Sequence, residues 1–330
     1  MKGEEFKDDF RRALPKELVV ELTRRSQWRA TLYVIEDLAV IAAAVAAALA
    51  WWPNPLVIFL AVLLIGTRQH ALFIITHDAA HYLLFDKRWL NDFVGRACAT
   101  PSGLSMCSYR VIHRMHHNNL YGELDPDTAL HGGYPRGRMY LVRKLLKDLS
   151  GLTAWKTYAY FLFAAPALNT ATNKALRPLD DTSDRLRSDA RRDRNAVIAF
   201  HVVALTFFAW SGYVVEYLVL WVLPLVTVVQ AILRLRAIAE HGATTDFSSP
   251  LTAARTNLGS PLLRWLLFPH HVNHHIEHHL YASVPMYNLP RLHAEMKRHG
   301  VLEGAEVLAF EKTLAKIFAG RSSAASASAA

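Results

Sequence analysis

Residues 270–281 read His-His-Val-Asn-His-His-Ile-Glu-His-His-Leu-Tyr, and this stretch decides how the rest of the chain is interpreted. On a helix, His275, His278 and His279 stand at positions i, i+3 and i+4, so three imidazoles leave the backbone on one face. Imidazoles aimed at one point suit a metal ion, because without one they would repel on protonation or leave ring nitrogens unpaired. The alternatives are a solvated histidine-rich loop and a local pH sensor.

Two further histidine groups occur earlier in the chain. His77 and His81 stand four residues apart, and His113, His116 and His117 repeat the i, i+3, i+4 spacing. The three groups together offer more imidazoles than one four-coordinate zinc ion can use, and about as many as two metal ions with vacant positions need. The sequence therefore predicts a two-metal site assembled from three distant segments.

The composition fits a protein that is partly embedded in a membrane. Of 330 residues, 52% are hydrophobic and 20% are charged, and the mean hydropathy is +0.12. The net charge of +9 and the pI of about 9.6 suit anionic headgroups or an acidic redox partner, and we expect no nucleic-acid partner because no recognition element occurs. Cys98 and Cys107 are too few for a disulfide framework and indicate a reducing compartment.

Four apolar runs are long enough to cross a bilayer of ~30 Å at ~1.5 Å per residue. They cover residues 29–52, 56–75, 196–212 and 214–233. We expect two hairpins, 29–76 and 196–235, whose outer turns contain no Lys or Arg. The basic segments lie on the opposite side, so the positive-inside rule places both termini and the active site in the cytosol. The expected fold is an all-α, multi-pass membrane protein with a cytosolic helical cap that carries the histidines.

The remaining segments are expected to complete a single domain, residues 1–330. Residues 1–28 are predicted to be a cytosolic segment without a signal peptide, and residues 320–330 a disordered tail. Residues 77–195 hold the first two histidine groups, and residues 236–319 hold the third and the cap. We also predict interfacial or re-entrant helices at 92–111 and 152–168, a charged linker at 174–194 and an amphipathic helix at 301–319.

The histidine groups resemble the histidine boxes of the membrane fatty-acid desaturase and hydroxylase superfamily. Their patterns are His-x-x-x-His, His-x-x-His-His and a second His-x-x-His-His, and the likeness continues into Val-Pro-Met-Tyr-Asn-Leu-Pro at residues 284–290. The resemblance spans nearly the whole chain. It implies two Fe2+ ions that activate O2, and a further ligand just after the last span, where His241 stands. An asparagine that binds through water elsewhere in the family has no clear match.

The chemistry of the residues also favours iron. Imidazole binds Zn, Cu, Fe and Ni, but a zinc pair would favour hydrolysis and would come with a His-Glu-x-x-His motif, which is absent. The expected catalytic and metal-binding residues are His77, His81, His113, His116, His117, His241, His275, His278 and His279. The acids available to orient them are Asp78, Asp125, Asp127, Glu240 and Glu277. For Asp125 and Asp127 a solvated turn is an equally good interpretation.

The expected function is O2-dependent insertion of a double bond into a long acyl chain that is linked to a lipid. The first box has three residues between its histidines where acyl-CoA delta-9 types have four, and the third begins with His275 where front-end desaturases have Gln. No His-Pro-Gly-Gly haem motif is present, so a separate ferredoxin-like or cytochrome donor is expected. The alternatives are a hydroxylase or ketolase of a sphingolipid, a carotenoid or another long apolar molecule, and a non-enzymatic membrane metal carrier or sensor.

Helix geometry predicts one ion pair inside the first hairpin. Glu36 and Asp37 lie ~10 Å into the first span from Arg29, and Arg68 lies ~13 Å before His77 in the antiparallel second span. The two depths roughly coincide, and charges inside a membrane normally face a partner. We therefore expect Arg68 to pair with Glu36 or Asp37.

The other histidines are not expected to bind metal. For His70, inside the second span, a hydrogen-bonded core position is favoured over a role that supports the metal ligands from behind. The neighbours of the third box that lack its spacing are His270, His271 and His274. The histidines without an assigned role are His131, His201, His293 and His299.

Overall fold

The structure, a computed structural model, describes residues 13–165, 167–169, 174–180, 182–246 and 249–320. The first part of the predicted N-terminal segment, residues 1–12, and the predicted tail from residue 321 onwards lie outside the described residues.

Most of the described chain is helical, with four short strands. The helices are α1 (Lys16–Leu22), α2 (Gln27–Ala50), α3 (Pro55–Ala80), α4 (Arg88–Ala99), α5 (Met106–Asn118), α6 (Thr128–His131), α7 (Arg138–Leu149), α8 (Ala154–Phe163), α9 (Asp184–Ser211), α10 (Val214–His241), α11 (Pro250–Ala253), α12 (Pro261–Leu267), α13 (His275–Leu280), α14 (Leu289–Arg298) and α15 (Phe310–Phe318). The strands are β1 (Ala167–Asn169), β2 (Lys174–Leu176), β3 (Thr256–Leu258) and β4 (Val307–Ala309).

Four helices, α2, α3, α9 and α10, are long and apolar enough to cross a membrane. α3 is largely enclosed, because α2, α4 and α10 pack against it. α9 instead turns large apolar side chains outward, among them Val203, Phe207 and Trp210. A contiguous apolar surface of this kind indicates apolar surroundings, and it supports membrane association. The arrangement in two hairpins and its orientation remain predictions.

The predicted charged linker at 174–194 is wrong for its second half, because α9 begins at Asp184. The Ser183 hydroxyl accepts a hydrogen bond from Leu186 N at 3.4 Å and caps the helix, and Arg192 pairs with Asp189 one turn away at 2.9 Å. Asp193 is buried, where its carboxylate binds Arg96 at 2.8 Å and accepts from Cys107 N at 2.9 Å. The charged side chains therefore form the solvent-exposed surface of α9 and attach α9 to its neighbours. They belong to a helix and not to a linker.

The two predicted interfacial helices are shorter than expected. Residues 92–111 belong to two helices, α4 and α5, separated by a turn in which Pro101 cannot continue the first helix and Gly103 has a φ of +82°. Ser105 then caps α5 by accepting from Ser108 N at 3.2 Å. The helix predicted at 152–168 ends at Phe163, where Ala164 adopts a left-handed conformation with a φ of +44°.

The fold is mostly helical, as predicted, and two small sheets that the sequence analysis does not predict also occur. β1 and β2 form an antiparallel pair, and β3 and β4 form a parallel pair in which Thr256 lies beside Val307. The amphipathic helix predicted at 301–319 is correspondingly shortened to α15, since its first part forms a turn and β4. Strands of three residues carry too little alternation to be recognised from sequence.

The last long helix, α10, is interrupted where the sequence analysis predicts a regular span at 214–233. Residues Leu218–Val222 form a π-helical turn, and Thr227 has non-helical backbone angles of φ −123° and ψ −78°. Pro224 lies between them; it has no N–H to donate, and its ring crowds the preceding turn. Helical geometry resumes over Val228–His241, so the C-terminal end of α10 delivers His241.

The predicted ion pair inside the first hairpin is confirmed for Asp37. Arg68 Nη1 lies 3.3 Å from Asp37 Oδ1, and both side chains are fully buried. The guanidinium also donates to the carbonyl oxygen of Trp265 and lies 3.9 Å above its ring. Trp265 Nε1 in turn donates to Glu36 Oε1 at 2.7 Å, and His270 Nε2 lies 2.8 Å from Asp37 Oδ2. The network joins α2 and α3 to the segment that precedes the third box.

Replacing Arg68 by Leu is expected to lower the free energy of unfolding by ~3–5 kcal/mol, because the carboxylate of Asp37 would remain buried without its cation. Chemical unfolding in detergent micelles measures the change. The matched control is Arg25→Leu, which removes an exposed pair with Asp86 at 3.9 Å and should cost ~0–1 kcal/mol. Equal losses in the two variants would contradict the assignment.

Candidate metal centre

The histidines of all three boxes meet at one end of the helical framework. α3 carries His77 in its last turn, and His81 follows directly after α3. The second box lies in the C-terminal half of α5, and the third box forms α13. His241 is the last residue of α10. All nine side chains predicted to bind metal are thus brought together.

Five of the nine form a first cluster. It consists of His77, His81, His113, His117 and His278, and one ring nitrogen of each lies within 4.8 Å of the others. The Nε2 atom of His278 lies 3.0 Å from that of His77 and 2.9 Å from that of His117. His117 Nε2 lies 2.9 Å from His113 Nε2.

The other four form a second cluster, which consists of His116, His241, His275 and His279. Its centre is His241, whose Nε2 atom lies 2.7 Å from that of His275 and 3.2 Å from that of His116. His279 Nε2 lies 3.3 Å from His241 Nε2. The clusters are adjacent, since the rings of His117 and His279 are 4.4 Å apart.

Helix geometry explains how the boxes divide. In α5 the i, i+4 pair His113 and His117 belongs to the first cluster, and the intervening His116 points to the second. In α13 the pair His275 and His279 belongs to the second cluster, and His278 reaches the first. Residues four apart lie almost one above the other, whereas a residue three apart is rotated to the side, so each triplet serves both clusters.

The second cluster fits a cation better than a set of hydrogen bonds. His241 Nδ1 lies 3.2 Å from the carbonyl oxygen of Ala253, which can only accept, so Nδ1 carries the proton and Nε2 presents a lone pair. Three further Nε2 atoms converge on that single lone pair, from His116, His275 and His279. One lone pair accepts one hydrogen bond, and a metal ion satisfies all four nitrogens at once.

The first cluster fits a cation for a similar reason. The Nε2 atom of His81 is buried and has no hydrogen-bond partner among the described residues. A buried nitrogen without a partner costs ~1–3 kcal/mol, and metal coordination removes that cost. His77 Nδ1 lies 3.1 Å from Asp78 Oδ1, a contact that keeps the proton on Nδ1 and directs the lone pair of Nε2 into the cluster.

Burial keeps most of these imidazoles neutral. It lowers the pKa of His81 to about 3. Burial, together with neighbouring imidazoles, holds the pKa well below its usual range for His113, His117, His275, His278 and His279. Burial also lowers the pKa of His116, but the carboxylates of Asp125 and Asp127 outweigh it and raise the pKa to about 9. A metal ion entering the second cluster would displace that proton.

Two of the acids predicted to orient the imidazoles contact them directly. One is Asp78, and the other is Asp125, whose Oδ1 lies 3.0 Å from His116 Nδ1. The interpretation of residues 125–127 as a solvated turn is wrong, because Asp125 is fully buried and accepts from the backbone N–H of Tyr121 at 2.8 Å. Asp127 is more distant, at 3.8 Å from His116 Nδ1.

The remaining two acids make no close contact with the clustered imidazoles. Glu240 Oε2 lies 3.8 Å from His275 Nε2, and both of its oxygens accept from Arg236, at 2.7 and 3.0 Å. Glu277 points away from the clusters, towards Thr256 and His293.

The sequence analysis missed His131. This residue is buried beside the second cluster, with its ring centroid 4.9 Å from that of His241, and neither ring nitrogen has a hydrogen-bond partner among the described residues. It belongs to the four-residue helix α6 and has no neighbour at box spacing, so no pattern marked it. The prediction for His70 is confirmed, since it is fully buried and its Nε2 lies 2.9 Å from Arg236 Nη1.

Comparison with known proteins finds relatives that are named as desaturases. Dihydrorhizobitoxine desaturase of Bradyrhizobium elkanii is 29% identical over 269 residues, which cover 78% of this chain and 72% of that protein. The sn-1 oleoyl-lipid 12-desaturase of Synechocystis sp. is 26% identical over 260 residues, or 71% of this chain and 66% of that protein. The sn-1 acyl-lipid omega-3 desaturase (ferredoxin) of Nostoc sp. is 33% identical over 101 residues, only 31% of this chain and 26% of that protein.

The model of the fatty acid desaturase family matches residues 53–307. The match begins just before α3 and ends at the start of β4, so it includes all three histidine boxes and His241. Because it covers well over half of the chain, the family is established: the chain belongs to the fatty acid desaturases and is an oxidoreductase.

Proposed function

We propose that this protein is a membrane-embedded di-iron enzyme that uses O2 to insert a double bond into a long acyl chain carried by a lipid. The observation that carries the proposal is the division of nine histidines, eight of them buried, into two adjacent clusters of ring nitrogens. Family membership supports desaturation, and the relatives named for acyl-lipid substrates support a lipid-linked chain.

In this proposal each cluster holds one Fe2+ ion, and the nine histidines are both the metal ligands and the catalytic residues. When bound, the iron pair supplies the activation of O2 and the oxidising power needed to remove hydrogen from an unactivated methylene. Burial keeps most of the imidazoles neutral, and acceptors such as Asp78, Asp125 and the Ala253 carbonyl direct the Nε2 lone pairs inward. The packed apolar residues around the clusters exclude water from the reacting atoms.

The proposed reaction requires a separate electron donor. The hydrogens removed from the acyl chain carry only half of the electrons that reduce O2 to water, so a second protein must supply the rest. We infer a ferredoxin-like or cytochrome donor. The net charge of +9 suits an acidic partner, and one relative is named for ferredoxin.

We propose that α2 with α3, and α9 with α10, form two membrane hairpins whose active-site ends and termini face the cytosol. Both histidine-bearing helix ends, His77 in α3 and His241 in α10, are C-terminal ends of the second helix in each pair. The connections at residues 51–54 and 212–213 contain no Lys or Arg, which supports placing them on the side away from the cytosol.

The name of one relative suggests a second candidate substrate. The relative that aligns over 78% of the chain is named for dihydrorhizobitoxine, so the substrate of that protein bears on this one as well. Hydroxylation or ketolation of a sphingolipid, carotenoid or other long apolar molecule on the same scaffold is the alternative outcome of the same hydrogen abstraction. A non-enzymatic carrier or sensor is not retained, because the family is one of oxidoreductases.

Expression in a lipid-rich host is expected to yield acyl chains that have lost two hydrogens, because the iron site removes hydrogen from two neighbouring carbons. Mass spectrometry of total lipids and of polar metabolites measures the product. A gain of one oxygen would favour the hydroxylase, and a product confined to the polar fraction would favour a substrate that is not a lipid. The control is the His278→Ala variant, which should give none of these products.

His278→Ala is expected to lower the iron content from two ions per chain to at most one and to abolish product formation, because His278 Nε2 lies within 3.0 Å of two other ring nitrogens of the first cluster. Elemental analysis of the purified protein measures the iron. The matched control is His201→Ala, which removes a histidine that contacts Tyr217 at 3.3 Å, outside the clusters. Unchanged iron in His278→Ala would contradict the proposed ligand set.

Asp125→Asn is expected to weaken iron retention in the second cluster by ~10–100-fold, because it removes the negative charge beside His116 Nδ1. The amide oxygen still accepts from the backbone of the turn, so the fold is retained. Iron remaining during titration with a chelator measures the effect. Asp127→Asn changes a carboxylate that lies 3.8 Å from the same nitrogen and should have a smaller effect; an equal effect would count against a specific role for Asp125.

A further inference from the structure

A further group of residues of metal-binding types, apart from the two histidine clusters, lies beside α13. His274 precedes the helix, Glu277 is in its first turn, and His293 belongs to the neighbouring helix α14. One potential ligand atom of each lies within 4.8 Å of the others. The nine clustered histidines take no part in this group, since α13 directs His275, His278 and His279 elsewhere.

The contacts within this group leave one atom unsatisfied. His293 Nδ1 contacts Glu277 Oε1, and Thr256 Oγ1 donates to Glu277 Oε2 at 2.6 Å. His274 Nδ1 lies 4.0 Å from Glu277 Oε1, which is too far for a hydrogen bond. His274 is 5% exposed, and its Nδ1 has no hydrogen-bond partner among the described residues. Such a buried nitrogen is costly, and it faces the carboxylate that the second imidazole already contacts.

We propose that His274, Glu277 and His293 bind a third divalent metal ion of the zinc class, separate from the two ions of the histidine clusters. Two imidazole nitrogens and one carboxylate oxygen are a donor set that zinc accepts in proteins. Zinc binds nitrogen and oxygen at ~2.0–2.2 Å, so one ion can bridge atoms up to ~4 Å apart. The 4.0 Å gap between His274 Nδ1 and Glu277 Oε1 lies at that limit.

The site has a route of entry and a structural consequence. The His293 side chain is 17% exposed, whereas that of Glu277 is fully buried, so an ion can enter from the His293 side. A bound ion would join α13 to α14, and the existing hydrogen bond from Thr256 to Glu277 connects the same site to β3. It would therefore hold the third histidine box in place from behind, without contacting the reacting atoms.

The competing interpretation is a hydrogen bond between His293 and Glu277 without any ion. It accounts for two of the three side chains and leaves His274 Nδ1 without a partner. Both interpretations keep the iron clusters intact, so a count of bound metal distinguishes them.

The test is the zinc content of the full-length protein, purified after loading with Zn2+ alone so that every site carries the same metal. Wild-type protein is expected to hold three zinc ions per chain after removal of loose metal, and His293→Ala is expected to hold two. The matched control is His299→Ala, which removes an exposed histidine of the same segment and should hold three. An equal zinc content in wild type and His293→Ala would overturn the proposal, whatever number of ions the histidine clusters hold.

A further variant covers the case in which His293→Ala also loses the cluster metals. His293→Gln keeps a polar side chain in contact with Glu277, and a loss of one ion from three supports the site, whereas no loss overturns it. The readout does not depend on iron or on product formation. If the proposed desaturase activity fails, the zinc count still decides whether this third site exists.

Discussion

The lone pairs of nine clustered imidazoles converge on two points, and their mutual repulsion is the constraint around which the rest of the chain is built. Imidazoles held this close in an apolar interior require either protons or metal ions between them. Helices from four parts of the chain bring them together, and the acceptors behind them, such as Asp125 and the Ala253 carbonyl, determine which ring nitrogen faces inward. The helical framework serves to hold these groups against one another.

Much of the site could be predicted because the spacing of histidines along a helix determines the directions in which their side chains point. The i, i+4 pairs His113 with His117 and His275 with His279 each share a cluster, as the helical repeat requires. His241 has no such spacing and could be assigned only through a resemblance. The division of each triplet between two clusters, and the burial of His131 beside the second, depend on how helices from distant segments pack, which periodicity within one segment does not describe.

The sequence predicts secondary structure well where the length of an apolar run determines it. It predicts secondary structure poorly where charged and polar residues determine it. The first long helix, α2, begins and ends near its predicted bounds, whereas α9 begins twelve residues before its predicted start. The depth of Arg68 in α3 matched that of Asp37 in α2 because a short turn fixes the register of the two helices. The charged stretch before residue 195 predicts a linker, since a solvated helix and a solvated linker have similar compositions. Buried Asp193, which fastens α9 to Arg96 and to the start of α5, distinguishes the two.

If each cluster holds an ion as proposed, the contribution of α5 and α13 to both clusters couples the binding of the two ions. His116 and His117 are adjacent in the chain yet belong to different clusters, so ordering α5 around one ion also orders a ligand of the other. The conformational entropy lost on binding the first ion is then not lost again on binding the second. For ions bound as proposed here, loading is cooperative, and half-filled protein is a minor species during assembly of the enzyme.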